Sequence, residues 1–398
     1  MNVVFYRYRS ICEPDYLDAF KSIGLNVVED IDGMSGDVCL DEKINNLGML
    51  IAQNKPLFVF SINYYPFISI VCEKLHVFYI AVTVDCPVFE IFNTTIRNGF
   101  NRLFLFDKEQ FNMVRKENPN YIFHLPLGAA PQRLDKILEN VKGYMYDISF
   151  VGSLYNEKDP LQSIRFLPDD LVNIIDNAID DQMRGDVFGH SCLDMIINED
   201  LVNRLKELDN DFYPSDMSVF DISHYVAIND YLCPHFTYKE RVAILDMLSE
   251  KCGGKVHLFT NSNTKDILNK VEIHSGVDSL KEMPLIFKLS KINLNITVRS
   301  IASGLPQRIW DVLACGGFLI TNYQPEIDEY FKNGEQIVTY NSYEELVDKV
   351  NYYMVHDKER EKIAYNGYCL VKEKGKVVDR VLEMIRLSIG GARGHVND

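Results

Sequence analysis

The stretch SKINLNITVRSIASGLPQRIWDVLACGGFLIT, residues 290–321, decides the fold. It opens on an apolar strand, SKINLNIT (290–297), and closes on a second, GFLIT (317–321). Between them the spacing predicts a helix that begins near Pro306 and stops at Gly316-Gly317. Proline suits a first helical position, where its missing N–H costs nothing. A glycine pair lets the chain leave the helix and turn into the next strand. Ile309, Leu313 and Ala314 share one inward face. Strand, helix and strand joined by short turns form the repeating unit of a parallel sheet.

Moving outward, the same alternation fills most of the 398 residues. NVVFYR, PLFVFS, VFYIAVTVD, RLFLFD and YIFHLPLG read as strands in the first third. Their apolar runs lack strict alternation, as expected for strands covered on both faces. A second series starts with YDISFVGSLYNEKDP (146–160), where a strand runs into a glycine turn. Residues 160–235 are acidic and poor in strand formers, and read as a helical insertion. ERVAILDMLSEKCGGKVHLFT (240–260) then resumes the alternation. Ser342 and Glu345 predict a capping box for the helix that follows. The expected fold class is α/β: two Rossmann-type domains facing a cleft, with the helical insertion in the second. The expected boundaries are 1–142, 143–375 with the insertion at about 160–235, and a C-terminal helix in 376–398 that packs back on the first domain.

Composition narrows the function classes. The formal net charge is −16, which argues against nucleic acid or an anionic membrane as the main partner. Nine scattered cysteines without a C-x-x-C pair suggest a reducing cytoplasm and no zinc cluster. His224 and His235 lack partner ligands at metal spacing. The most apolar run, PLFVFSINYYPFISIVC (56–72), is broken by Asn63 and Pro66, short of the ~20 residues of a membrane span. The N-terminal MNVVFYRYRS has no signal-peptide pattern.

Candidate chemistry gathers where glycine turns follow strands. Arg308 and Asp311 lie three apart and can share a helix face. A surface ion pair worth under ~1 kcal/mol explains them. So does an anion site: a helix N-terminus has unpaired N–H groups and partial positive charge. There a phosphate binds near Pro306, accepts Arg308, and leaves Asp311 one turn deeper for two ribose hydroxyls. Ser303 and Gly304 form the loop ahead of the helix. Asn293 and Asn295 share one side of their strand, and Thr297 and Arg299 follow at its end, with Arg299 a second candidate for phosphate charge. Gly152 offers close backbone approach after its strand, with Ser153 beside it and Lys158 in the loop beyond. On the acceptor side, a base must take a proton from a hydroxyl. Asp85, at the end of VFYIAVTVD, is the first candidate and His124 the second; Arg7 and Arg9 suit an anionic acceptor. Turn capping, core packing and surface exposure explain these four equally well.

Residues 280–375 resemble the C-terminal half of GT-B glycosyltransferases, and in particular the glycosyltransferase-like family that includes the spore maturation protein CgeB. The resemblance rests on SKINLNIT, PQRIWDVLACGGFLIT and the run from EIDEYF to IAYNG, in order. VDCP (84–87), LFLFD (103–107), HLPLGA (124–129) and YDISFVGSLY (146–155) are similar to that family's usual N-terminal partner module. Only 160–235 falls outside it. The resemblance implies a bacterial, metal-independent enzyme without a cofactor. It would move a sugar from a nucleotide-diphosphate sugar, most often a UDP-sugar, to a glycan, lipid-linked or protein acceptor. In that class the matching helix usually carries two carboxylates. Asp311 takes the ribose-contacting place, where glutamate is usual, and the sugar-contacting place falls on Ser303. In the phosphate turn, Ser153 stands where an arginine is usual and Lys158 near the usual lysine, so Arg308 would supply the lost charge. A nucleotide-sugar epimerase and a non-catalytic nucleotide- or carbohydrate-binding protein are the rival readings.

Overall fold

The structure, a computed structural model, describes residues 1–163, 168–185, 189 and 191–390. Contacts divide the chain into two compact units. The first comprises Met1–Ala130, Asp216–Phe220 and the chain from Lys374; the second comprises Pro131–Ser215 and Asp221–Glu373. The division therefore assigns the helix Pro131–Leu138 to the second unit, whereas the sequence reading set its break at 142.

The first unit holds six strands: β1 (Asn2–Tyr6), β2 (Asn26–Asp30), β3 (Phe58–Ile62), β4 (Phe78–Val82), β5 (Asn101–Leu105) and β6 (Ile122–His124). All pair in parallel, in the order β2-β1-β3-β4-β5-β6. β3 and β5 are buried along their whole length, and their apolar stretches Phe58–Phe60 and Leu103–Leu105 fit strands covered on both faces. Helix Val377–Gly390 belongs to this unit: Val377, Val381 and Met384 join Val3, Phe5, Phe20 and Phe60 in one core. Burying such a side chain contributes roughly 1.5–3 kcal/mol.

The second unit also holds six parallel strands: β7 (Tyr146–Val151), β8 (Val256–Thr260), β9 (Glu272–Ser275), β10 (Ser290–Asn295), β11 (Leu319–Asn322) and β12 (Val338–Tyr340). Their order is β12-β11-β10-β7-β8-β9, the doubly wound order of a Rossmann fold. β7, β8 and β9 wind one way, and β10 then returns to the other side of β7. The order reverses between β7 and β10, and open sheets of this kind bind ligands beyond the carboxyl ends at that point. The residues that follow are Gly152 after β7 and the loop 296–306 after β10.

Within the expected insertion, of which 164–167, 186–188 and 190 lie outside the described residues, the helices are Pro160–Ser163, Asp169–Met183, Ser191–Ile196, Glu199–Leu208 and Ser223–Val226. Asp216–Phe220 leave this set for the first unit, where the Thr94 amide donates to Met217 O and the Val219 amide donates to Phe92 O, both at 2.8 Å. Helix Cys233–Lys251 carries Ile244, Leu245 and Leu248 into the core over β7 and β8.

Helix Gln307–Ala314 starts one residue later than the sequence predicts. Pro306 is its cap, with ψ at 155°, so its carbonyl accepts from the Ile309 amide although the proline itself is extended. Gly316 ends the helix at φ +66°, a conformation that favours glycine. Ser342 Oγ accepts from the Glu345 amide as a cap, while Glu345 Oε2 accepts one residue earlier, from the Asn341 amide.

Candidate functional site

Arg308 lies at the reversal point of the second sheet. It leaves the first turn of its helix partly buried, and its Nη1 donates to Asn295 Oδ1 at 3.1 Å, the last residue of β10. Asn295 is held for this by its amide nitrogen, which donates to Thr297 Oγ1 and Thr321 Oγ1, both at 2.9 Å. Across the reversal, the guanidinium reaches the end of β7. A Cβ built on Gly152 would stand 2.6 Å from Arg308 Nη2, and the φ there is +153°. Only glycine leaves room for the arginine at that turn.

A second arginine shares the place. Arg241, on helix Cys233–Lys251, is buried and donates to Ser153 O and Ile296 O, each at 2.7 Å. Its guanidinium carbon and that of Arg308 both lie 5.1 Å from the Phe150 ring centroid. Neither guanidinium forms an ion pair with a carboxylate among the described residues, and the Nε of each is buried without a hydrogen-bond partner. Burial and the charge of Arg241 push the Arg308 pKa down to about 9. Burial likewise lowers that of Arg241. Two adjacent buried cations without a counter-charge are costly unless an anion joins them. The chemistry this arrangement provides is anion binding at the head of a helix.

Asp311 does not pair with Arg308. It is partly buried and accepts from Gln307 Nε2 at 2.9 Å, one turn toward the helix start. The ion-pair account of the two residues therefore fails on geometry. Ser303 is buried and its hydroxyl donates to Glu326 Oε1 at 2.7 Å, while the Glu326 amide donates back to Ser303 O at 3.3 Å. A carboxylate thus stands at Ser303 after all, brought from 23 residues further along the chain. Gly304 is buried beside it.

The remaining candidates divide clearly. Ser153 belongs to the site: its carbonyl holds Arg241 and its Oγ accepts from the Tyr155 amide at 2.7 Å. Lys158 is exposed, with its Nζ 4.9 Å from the Tyr155 ring centroid. Arg299 is engaged elsewhere. Its guanidinium forms a buried ion pair with Glu240, which also accepts from Tyr343 Oη at 2.9 Å. Asn293 is structural: its Nδ2 donates to Phe287 O and Phe318 O.

In the first unit, Asp85 is exposed just beyond β4 and accepts from Asn63 Nδ2 at 2.7 Å. Asn63 Nδ2 also lies 3.0 Å from the Tyr8 hydroxyl, so this carboxylate joins a polar cluster at the carboxyl ends of β1, β3 and β4. Arg7 is neutralised by Glu13 and Glu29, and Arg9 is exposed. His124, partly buried at the end of β6, has its ring 6.1 Å from that of Phe111.

Sequence spacing did not reveal Arg241 or Glu326. Arg241 lies 67 positions before Arg308 on a helix with no local anion signal, and Glu326 reads as an ordinary acidic residue in QPEIDEY.

Known proteins are similar to this chain in part of its sequence and in its fold. Residues 241–386 match the model of a family described as glycosyl transferase-like, and the match spans Arg241, Ser303, Arg308, Asp311 and Glu326. This part of the chain is similar to that family's model. No curated protein matches the chain. Among solved structures, sucrose-phosphate synthase from Thermosynechococcus elongatus is similar with a TM-score of 0.57 and 8% identity, over 97% of this chain and 98% of that one. HepE of Anabaena, solved with UDP and glucose, has a TM-score of 0.52 and 10% identity over 97% and 98%. The BGT of phage T4, solved with its UDP-glucose substrate, has a TM-score of 0.50 and 11% identity over 98% and 99%. At these identities the likeness is one of fold, and the fold is the two-domain α/β arrangement of GT-B glycosyltransferases.

Proposed function

We propose that the protein is a glycosyltransferase of the CgeB-like kind that takes a sugar from a nucleotide-diphosphate donor, a UDP-sugar, and transfers it to a hydroxyl of a glycan, lipid-linked or protein acceptor. The observation that carries this reading is the pair of arginines, Arg308 partly buried and Arg241 buried, without carboxylate partners among the described residues at the reversal point of the second sheet. Two GT-B-fold neighbours solved with UDP ligands support the choice of base.

In this reading the bond between the anomeric carbon and the diphosphate oxygen breaks as the acceptor oxygen bonds to that carbon. Negative charge grows on the leaving diphosphate. Arg308, Arg241 and the start of helix Gln307–Ala314 stabilise it by fixed positive charge already in place. Metal independence follows in this proposal from those charges, which do the work a divalent ion otherwise does. Asp311 accepts from the ribose hydroxyls, and Glu326, held at Ser303, accepts from a hydroxyl of the sugar. Asp85 takes the acceptor proton. A cytoplasmic setting fits the nine cysteines, all free, and no described helix is long and apolar enough to cross a membrane.

The test is donor turnover with EDTA present, with and without a panel of acceptors. Release of UDP that depends on an acceptor supports transfer. Conversion of the donor to an isomer without UDP release makes the protein an epimerase. Tight UDP binding with no turnover of any kind makes it a binding protein.

A further inference from the structure

At the outer edge of the second sheet, His257 on β8 faces Glu272 and His274 on β9. The two strands are parallel, with His257 opposite Glu272 and Phe259 opposite His274, so the three side chains share one face. His257 Nδ1 lies 3.1 Å from His274 Nε2 and 3.3 Å from Glu272 Oε2. Donors held 2.0–2.1 Å from a tetrahedral zinc ion stand about 3.3 Å apart. His257 Nδ1 thus stands at that spacing from both partners, and all three ligand atoms lie within 4.8 Å of one another. A single imidazole proton on Nδ1 serves only one of the two contacts.

The surroundings hold this geometry. Phe259 stacks on His274 at 4.4 Å and 13°, and Tyr146 meets His257 edge-on at 5.1 Å. His257 is buried, whereas Glu272 and His274 are partly exposed, so an ion has an entry path and a place for a water ligand. Lys255 Nζ takes the other carboxylate oxygen, Glu272 Oε1, at 2.5 Å and leaves Oε2 free to turn inward.

We propose that His257, Glu272 and His274 form a binding site for a divalent transition-metal ion, zinc above all, that staples the edge strand β9 to β8. His257 and Glu272 lie near the amino ends of β8 and β9, whereas the anion site lies beyond the carboxyl ends of β7 and β10. The ion is structural, and this site stands whether or not the protein transfers sugar.

Equilibrium dialysis of the full, reduced and EDTA-stripped chain against Zn²⁺ reads bound metal directly. One ion per chain is expected, with affinity weakened about 10- to 100-fold in His274→Gln and in Glu272→Gln. Both substitutions lie at partly exposed positions, and melting in EDTA checks that they fold. At the same Zn²⁺ concentration the melting temperature of the wild type should rise more than that of either variant. Co²⁺ should give a d–d spectrum without the thiolate charge-transfer band that cysteine ligation produces. Equal Zn²⁺ affinity in wild type and both folded variants, a thiolate band with Co²⁺, or no binding at millimolar Zn²⁺ overturns the proposal.

Discussion

Arg308 turns away from Asp311, its neighbour one turn along the same helix, and places its guanidinium against Asn295 Oδ1 at 3.1 Å. Beside it Arg241 approaches the same Phe150 ring from another helix. Opposite charges three residues apart on a helix ordinarily find each other for a few tenths of a kcal/mol. Here the arginine instead reaches the strand ends, next to a second arginine. In the proposed function, that place belongs to a diphosphate.

Substitution of Arg308 should separate binding from folding. Arg308→Met keeps a side chain packed on Phe150 but removes a buried charge that burial and Arg241 already disfavour. Nucleoside diphosphate affinity, read by calorimetry, should fall at least tenfold, about 1.4 kcal/mol. The apo protein should melt no lower than wild type. A variant that binds UDP normally would remove Arg308 from the site.

Gly152→Ala should act on the same contact from the other side. The new methyl would sit 2.6 Å from Arg308 Nη2. That atom ends a flexible side chain, so the guanidinium moves, while the alanine at φ +153° adds backbone strain that lowers the melting temperature. UDP affinity should drop by a factor close to that of Arg308→Met, and the double variant should lose little more than either single one.

Arg299 and Glu240 should behave as a structural pair. Both are buried, and Tyr343 adds a hydrogen bond to Glu240. Removing one partner strands the other charge, so Arg299→Met is expected to cost about 3–5 kcal/mol in urea unfolding. UDP binding by the folded fraction should be retained.

His235 provides the pH dependence. Its Nδ1 lies 2.6 Å from Asp159 and its Nε2 2.9 Å from Asp176, so both bonds form only when the ring is charged. Burial opposes that charge, but the two carboxylates outweigh it and raise the pKa. Asp176 is shifted the other way: burial raises its pKa, and bonds to His235 and Lys239 outweigh this and lower it. The imidazolium contribution is complete below the unfolded histidine value, near 6.5, and is lost as pH rises through the raised folded value. The Asp176 contribution is complete above the unfolded carboxylate value, near 3.9, and is lost as pH falls through the lowered one. Melting temperature should therefore decline as pH rises above about 6.5 through the raised folded value, and His235→Gln should flatten that decline.

The α/β class was legible because strands covered on both faces are mostly apolar, as in Phe58–Phe60 of β3 and Leu103–Leu105 of β5. Arg308, Gly152 and Asn295 were legible because a glycine turn and a helix start mark the carboxyl ends of strands. What spacing could not show is which distant residues fill the same space. Arg299 reads as well as Arg308 for phosphate, and only the fold brings Glu240 to it across 59 positions. Arg241 and Glu326 arrive at the site by the same long-range packing.

The central claim is that the reversal point of the second sheet binds a nucleoside diphosphate through protein charge. Its most direct test is the thermal shift of the purified protein against UDP, other nucleotides and their sugar conjugates, with EDTA present throughout. A ligand at 100 times its Kd adds ~2.7 kcal/mol of stability. The account predicts a rise with UDP, a larger one with one UDP-sugar, and none for either in Arg308→Met. No shift with any nucleotide, or an equal shift in the variant, would contradict it.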